Sequence, residues 1–121
     1  MNHSPRSKHY RQKADAELTR IFSAKPCLIC GKIEGVCGHH MVDRNHGYLR
    51  HNLNNVMPLC PEHHTQSDTL AAHSTNARAQ TNFLLYLMEN HAEVYQWYQQ
   101  YKFETGMIDY ERAYNELKGV K

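Results

Sequence analysis

Cys27-Leu28-Ile29-Cys30 and Cys60-Pro61-Glu62-His63 each present two metal-ligand side chains separated by two residues. Together they offer four soft or borderline ligands, the number that a structural zinc ion takes. A tight turn after Cys27 lets both thiolates of the first pair face one ion. The second pair falls at the start of an expected helix, where residues three apart share a face. The spacing therefore predicts one structural Zn2+ on Cys27, Cys30, Cys60 and His63, closing a long loop and adding stability that a small core lacks. A pair of ordinary buried cysteines is the alternative. Disulfides fit less well, because cysteines beside histidines in a chain that opens without a basic-then-apolar leader read as metal ligands. A redox CxxC needs a βαβ context that the pattern lacks.

Histidine is unusually frequent. The chain holds 10, and His39, His40, His46, His51, His63 and His64 all fall between positions 39 and 64. His39-His40 and His64 form a second constellation. Adjacent residues on a strand point to opposite faces, so one His can hold a metal while its neighbour reaches another target only where the strand ends or bends. A nuclease needs such a division of labour. One neutral His holds a divalent ion that stabilises the phosphate and the leaving oxygen, and another takes a proton from water. Because His64 follows His63 directly, a zinc on His63 would also fix His64. Cys37, two residues before His39, is read as a small buried apolar residue and left out of the site. His46 and His51 read as surface loop histidines.

These groups need elements to hold them. Ala14, Leu18, Ile21 and Phe22 recur at near-helical spacing and predict a helix over Lys8–Ser23, ended by Pro26. The first seven residues read as a solvated, partly frayed terminus. Residues 27–38 hold three Gly and three Cys and read as turns and short strands. Residues 39–59 read as a long functional loop. A helix is expected from about Pro61, and residues 68–77 as a connection. Phe83, Leu84, Leu87 and Met88 make one helical stripe. Asn90 with Glu93 is expected to cap a second helix carrying Val94, Trp97, Tyr98 and Tyr101, and Asp109 to open a third with Tyr110, Ala113, Tyr114 and Leu117. The aromatic stripe reads as core rather than as a platform for bases.

The 40 % hydrophobic and 21 % charged composition of this 121-residue chain excludes wholesale disorder. No apolar run approaches the roughly 20 residues of a membrane span, so neither a membrane protein nor a classically secreted one is expected. The net charge of +2 proves no nucleic-acid partner, but it is unevenly spread. Residues 1–25 carry six basic side chains against Asp15 and Glu17, and residues 65–121 carry five basic against seven acidic. The basic arm could touch phosphate; the tail could not.

Read in order, Cys27-Leu28-Ile29-Cys30, Gly38-His39-His40-Met41-Val42 and Asn54-Asn55-Val56-Met57-Pro58-Leu59-Cys60-Pro61-Glu62-His63-His64 resemble the HNH (ββα-metal, His-Me finger) endonucleases. That family runs CxxC, a His pair, an Asn before an apolar run, then CxxCH. Here His63 stands where the family usually has Cys, a change zinc accepts, and His39 where many members carry Asp. The loop Arg44-Asn45-His46-Gly47-Tyr48-Leu49-Arg50-His51 is similar to that of phage and prophage members such as the NinG-like (Rap-like) recombination nucleases. The resemblance implies an α+β fold: a zinc-stapled ββα-metal core over 26–70, a basic N-terminal arm and helix over 1–25, and a helical extension over 71–121 packed on the core.

It further implies His40 as general base, His39 and His64 as ligands of a catalytic divalent ion (Mg2+ or Mn2+ first, Zn2+ or Ni2+ second), and Asn55 as an orienting residue. Asn54 competes with Asn55 for that role, and a turn residue or helix-entry cap is the alternative reading of Asn55. Arg44 or Arg50 could grip phosphate with a planar fork, while Arg50 could equally pair with an acidic residue. The expectation is a cytoplasmic, metal-dependent DNA endonuclease of phage or prophage type, active in a bacterial host. It would leave a 5′ phosphate and read backbone and shape, as in branched recombination or repair intermediates. A homodimer through the C-terminal helices would suit such a substrate. The alternatives are a zinc module that binds nucleic acid or protein without catalysis, and an assembly protein whose aromatic tail is the interface.

Overall fold

α1 runs over Pro5–Ser23 and starts earlier than its apolar spacing indicates. The computed structural model describes residues 5–121, so the first four residues of the basic arm lie outside the described residues. The predicted stripe is the buried face: Ala14, Leu18, Ile21 and Phe22 all lie in the core.

The described residues form a small α+β structure on one two-stranded antiparallel sheet. β1 (Cys37–His40) pairs with β2 (Val56–Leu59) in the register Cys37 with Leu59, Gly38 with Pro58, His39 with Met57 and His40 with Val56. The reading of 39–59 as unbroken loop is therefore corrected. Its two ends are strand, and the irregular part is 41–55. Pro58 lacks an N–H, but each strand of a two-stranded sheet is an edge and tolerates it. The Pro58 carbonyl instead accepts the Leu28 N–H at 2.9 Å, which ties the Cys27–Cys30 turn to β2.

The sheet separates two apolar clusters. Met57 and Leu59 pack with Cys27, Val36, Cys60, Phe83 and Leu87 on one face, and Val56 packs with Ala14, Leu18, Ile21, Phe22 and Leu117 on the other. α1 lies close over the second face. A Cβ on Gly38 would fall 2.8 Å from Val56 Cγ1 and 3.4 Å from Phe22 Cβ, so the approach of helix to strand requires glycine there.

α2 (Ala77–Asn90) starts at an Asn76 cap whose side chain accepts the Arg78 N–H at 2.9 Å. α3 (Ala92–Tyr101) follows without a side-chain cap. The expected Asn90 cap is a correction: Asn90 ends α2 and donates to the Tyr86 carbonyl at 3.1 Å. α4 (Tyr110–Leu117) opens at Asp109 as expected, with Oδ1 accepting the Arg112 N–H at 3.0 Å. Phe83, Leu87, Tyr110 and Leu117 are buried, but no residue of α3 is, and Trp97, Tyr98 and Tyr101 stay half-buried. On α3 the core reading of the aromatic stripe holds only in part: Val94 packs against the first cluster, and the stripe as a whole is half-buried. α4 lies along α1, where Arg6 pairs with Glu111 and Arg20 Nη2 donates to the carbonyls of Leu117 and Val120 at 3.2 and 2.7 Å. No helix among the described residues is long and apolar enough to cross a membrane.

Candidate metal centre

Cys27, Cys30, Cys60 and His63 converge so that one ligand atom from each lies within 4.8 Å of the others. Cys30 Sγ is 3.7 Å from Cys60 Sγ, and His63 Nδ1 is 3.4 Å from Cys60 Sγ and 3.9 Å from Cys27 Sγ. A tetrahedral ion with the usual sulfur and nitrogen bond lengths places neighbouring ligands roughly 3.5–3.8 Å apart, so the four fit such an ion. The cysteines are not disulfide-bonded. Gly31, at φ +76°, completes the turn, and its N–H donates to the Cys27 carbonyl at 2.9 Å. Burial alone would push the Cys27 thiol up. Hydrogen bonds from the backbone at Cys60, Cys30 and Ile29, and from the His63 side chain, bring it down to about 6. Burial, with Cys30 and Cys27 crowded beside it, raises Cys60. As thiolates with a neutral imidazole, these four groups could hold a metal ion.

His39, His64 and His73 form a second cluster, again with one ligand atom each within 4.8 Å of the others. The ring centroids lie 5.3 Å (His39–His64), 4.5 Å (His39–His73) and 5.1 Å (His64–His73) apart. His39 is buried edge-on against Phe83, and its Nδ1 has no hydrogen-bond partner among the described residues. Burial first, then the neighbouring His73, His64 and His40, push His39 down to about 2. Burial and His73 lower His64 as well. Neutral imidazoles with an orphaned buried nitrogen are the form that binds a metal. Cys37 lies outside both clusters, but its Sγ sits 3.3 Å from His64 Nδ1, in reach to orient that ring.

His73 arrives by a departure from the expected helix at Pro61. That helix is a single wide turn, Glu62–Gln66, closed by the Ser67 N–H on the Glu62 carbonyl at 2.8 Å. The carbonyls of His63 and His64 do not serve a next turn. They accept the N–H groups of Ala72 at 3.0 Å and His73 at 2.7 Å, so the chain doubles back and brings His73 to His64.

β1 ends at His40, as a division between His39 and His40 demands. His40 turns to the opposite face and donates from Nε2 to the Arg50 carbonyl at 2.9 Å. That bond commits Nε2 as N–H and leaves Nδ1 an acceptor. Burial lowers the His40 pKa, partly offset by that same bond; the charges of Arg50, His51 and Arg44 lower it further. His40 lines a cleft of about 190 Å³ with Arg44, Asp15, Thr19, Ser23 and Gly38. A larger cleft of about 450 Å³ lies between the loop at Tyr48 and α4, away from both clusters.

Asn55 is fully buried and ties the loop together. Its Oδ1 accepts the Val42 N–H at 2.7 Å, and its Nδ2 donates to the carbonyls of Val42 at 3.0 Å and Leu49 at 3.2 Å. Asn54 is exposed, and the cap of the short turn at 53–55 is Asn52. Arg50 forms an ion pair: Nε and Nη2 meet Asp15 Oδ1 and Oδ2 at 2.9 and 2.6 Å. Of its two readings, the acidic partner is the one realised, and Arg44 is the loop arginine with no ion pair among the described residues. His51, read as a surface residue, is buried and donates to Asp15 Oδ1 at 2.7 Å. His73 and Asp15 are the participants that sequence reasoning missed. His73 was readable only as one more His in a stretch without period, and Asp15 only as one of two acids in a basic helix.

The chain matches no protein-family model, no curated protein and no solved structure.

Proposed function

We propose that the protein is a metal-dependent endonuclease of the HNH type that hydrolyses DNA phosphodiester bonds. The observation that carries this reading is the three-imidazole cluster of His39, His64 and His73 beside the four-ligand cluster, with His40 next to the cluster member His39 at the end of the strand. The four-ligand cluster would hold a structural Zn2+, since its ligands complete a tetrahedron. Three imidazoles leave a coordination position for substrate. They suit Zn2+ or Ni2+ better than Mg2+, which prefers oxygen, and that reverses the order drawn from the resemblance. When bound, the ion supplies Lewis acidity to the phosphate and the leaving oxygen.

The chain's own residues would do the rest. His40, held by Nε2, takes a proton from water at Nδ1, and its lowered pKa keeps it neutral near pH 7. Arg44, unpaired and on the same cleft, grips the backbone phosphate. Asn55 keeps the intervening loop in shape. Backbone and shape recognition fits phage-type action on branched DNA.

The test is cleavage of plasmid and four-way-junction DNA with Mg2+, Mn2+, Zn2+ or Ni2+, with His40→Ala beside the wild type. Cutting by wild type and none by a folded, metal-loaded His40→Ala supports the reading. No cutting by either protein, with one ion held by each, favours a non-catalytic zinc module.

A further inference from the structure

One carboxylate of α1 reaches into the loop that carries the proposed chemistry, yet the proposed reaction does not use it. Asp15 Oδ1 accepts from Arg50 Nε at 2.9 Å and from His51 Nε2 at 2.7 Å, and Oδ2 accepts from Arg50 Nη2 at 2.6 Å. The peptide carbonyl between those same two residues, that of Arg50, is the one that accepts the His40 Nε2 proton at 2.9 Å. A single carboxylate thus grips both side chains that flank the acceptor. The grip is braced on either side. Arg50 Nη1 donates to the Arg44 carbonyl at 3.3 Å, and the His51 ring stands edge-on to Tyr110 with centroids 5.6 Å apart. Asp15 is rigidly placed in turn, because its neighbour Ala14 is fully buried under α4 and the sheet.

We propose that Asp15 is a positioning residue for His40. By holding Arg50 and His51, it fixes the Arg50 carbonyl, which keeps His40 in the Nε2–H form with the Nδ1 lone pair free. The rate consequence rests on the endonuclease reading; the orienting of His40 does not. The arrangement also explains why Arg50, on a loop well placed for phosphate, is turned inward. Its fork is spent on carboxylate geometry that a lysine could not match.

The test uses the full chain loaded with Zn2+. Long-range proton–nitrogen correlation spectra report the His40 tautomer, and plasmid cleavage reports kcat and KM. Wild type is expected to show the Nε2–H form. Asp15→Asn is expected to show a mixture of tautomers, a kcat lower by about 10–100-fold, the scale for losing a partner that orients a functional imidazole, and a KM within about twofold. Asp15→Glu should recover part of kcat. If Asp15→Asn does not fold, Arg50→Lys, which keeps the charge and loses the fork, should show the same mixture. A wild-type Nδ1–H form, or an unchanged tautomer in a folded Asp15→Asn or Arg50→Lys, overturns the proposal. A wild type that cuts nothing while the variant tautomer shifts removes the nuclease reading and leaves the positioning role standing.

Discussion

The two ligand clusters take consecutive residues, His63 and His64, from one turn, but draw their other members from different kinds of structure. Cys27 and Cys30 come from a turn locked by its own backbone bonds, Cys27 N–H to Lys32 carbonyl and Gly31 N–H to Cys27 carbonyl, each 2.9 Å. His39 comes from a strand, and His73 from a segment held by two backbone bonds to the turn it faces. The first cluster offers three sulfurs and a nitrogen, enough to complete a tetrahedron. The second offers three nitrogens and stops short of one. Ligand softness and number, more than position, are what would separate a stapling site from one with room for a further ligand.

The sharpest way to break that contrast is to remove one ligand from each side. Cys60→Ala should cost the protein its cooperative thermal transition, because an ion held by that cluster would contribute folding energy directly; a normal melt would remove the staple from this cluster. If the proposed endonuclease reading holds, His40→Ala should keep the fold and any metal content of the wild type, yet lose about 10²–10⁴-fold in DNA cleavage rate, the usual worth of a general base. His73→Ala should also keep the fold. Elemental analysis should find its second ion lost, with affinity weaker by at least about 10–100-fold. An unchanged metal count would remove His73 from the cluster.

How much of this was legible follows from the range of each interaction. Cys27, Cys30, Cys60 and His63 announce themselves because each pair is local and its spacing is dictated by a turn. His64 is legible as the neighbour of His63 and His39-His40 as an adjacent pair, while the roles expected of the three came from the resemblance. His73 was not, because it reaches the cluster by a reversal that depends on carbonyls left open at His63 and His64. Arg50 stayed ambiguous because its partner, Asp15, lies 35 positions away on another element. Helical spacing found α1, α3 and α4, but on α3 the stripe is only half-buried, since periodicity shows that a face is apolar and not how fully it is covered. Whether the paired strands and turn are an HNH core is the question that the cleavage and metal experiments address.

Smaller effects sharpen the comparison from the loop between the strands. Asn55→Ala leaves the Val42 N–H without its acceptor and takes a donor from the Val42 and Leu49 carbonyls, of which Leu49 keeps the Asn52 N–H, around a fully buried position. It should lower stability by about 1–3 kcal/mol or somewhat more in a denaturant titration, while Asn54→Ala, on the surface, should change little. Asp15 offers a pH signature. Burial would raise its pKa from the usual 3.8, but hydrogen bonds from His51 and Arg50 hold it well below that value. A carboxyl depressed on folding stabilises above its unfolded pKa and loses that contribution as pH falls through the folded value. The melting temperatures of wild type and Asp15→Asn should therefore differ at pH 7 and draw together below about pH 4.

The turn Glu62–Gln66 carries one ligand for each cluster on adjacent residues, and that adjacency has a thermodynamic consequence. If both clusters take ions, whatever order one ion imposes on the turn is order that the other need not create, and the two occupancies would be linked. Linkage is reciprocal: if filling the thiolate cluster tightens the imidazole cluster by some factor, filling the imidazole cluster tightens the thiolate cluster by the same factor. A mild chelator that strips the weaker site should then hasten release from the stronger one, and a protein scarce in one metal would surrender its fold sooner than either affinity alone foretells.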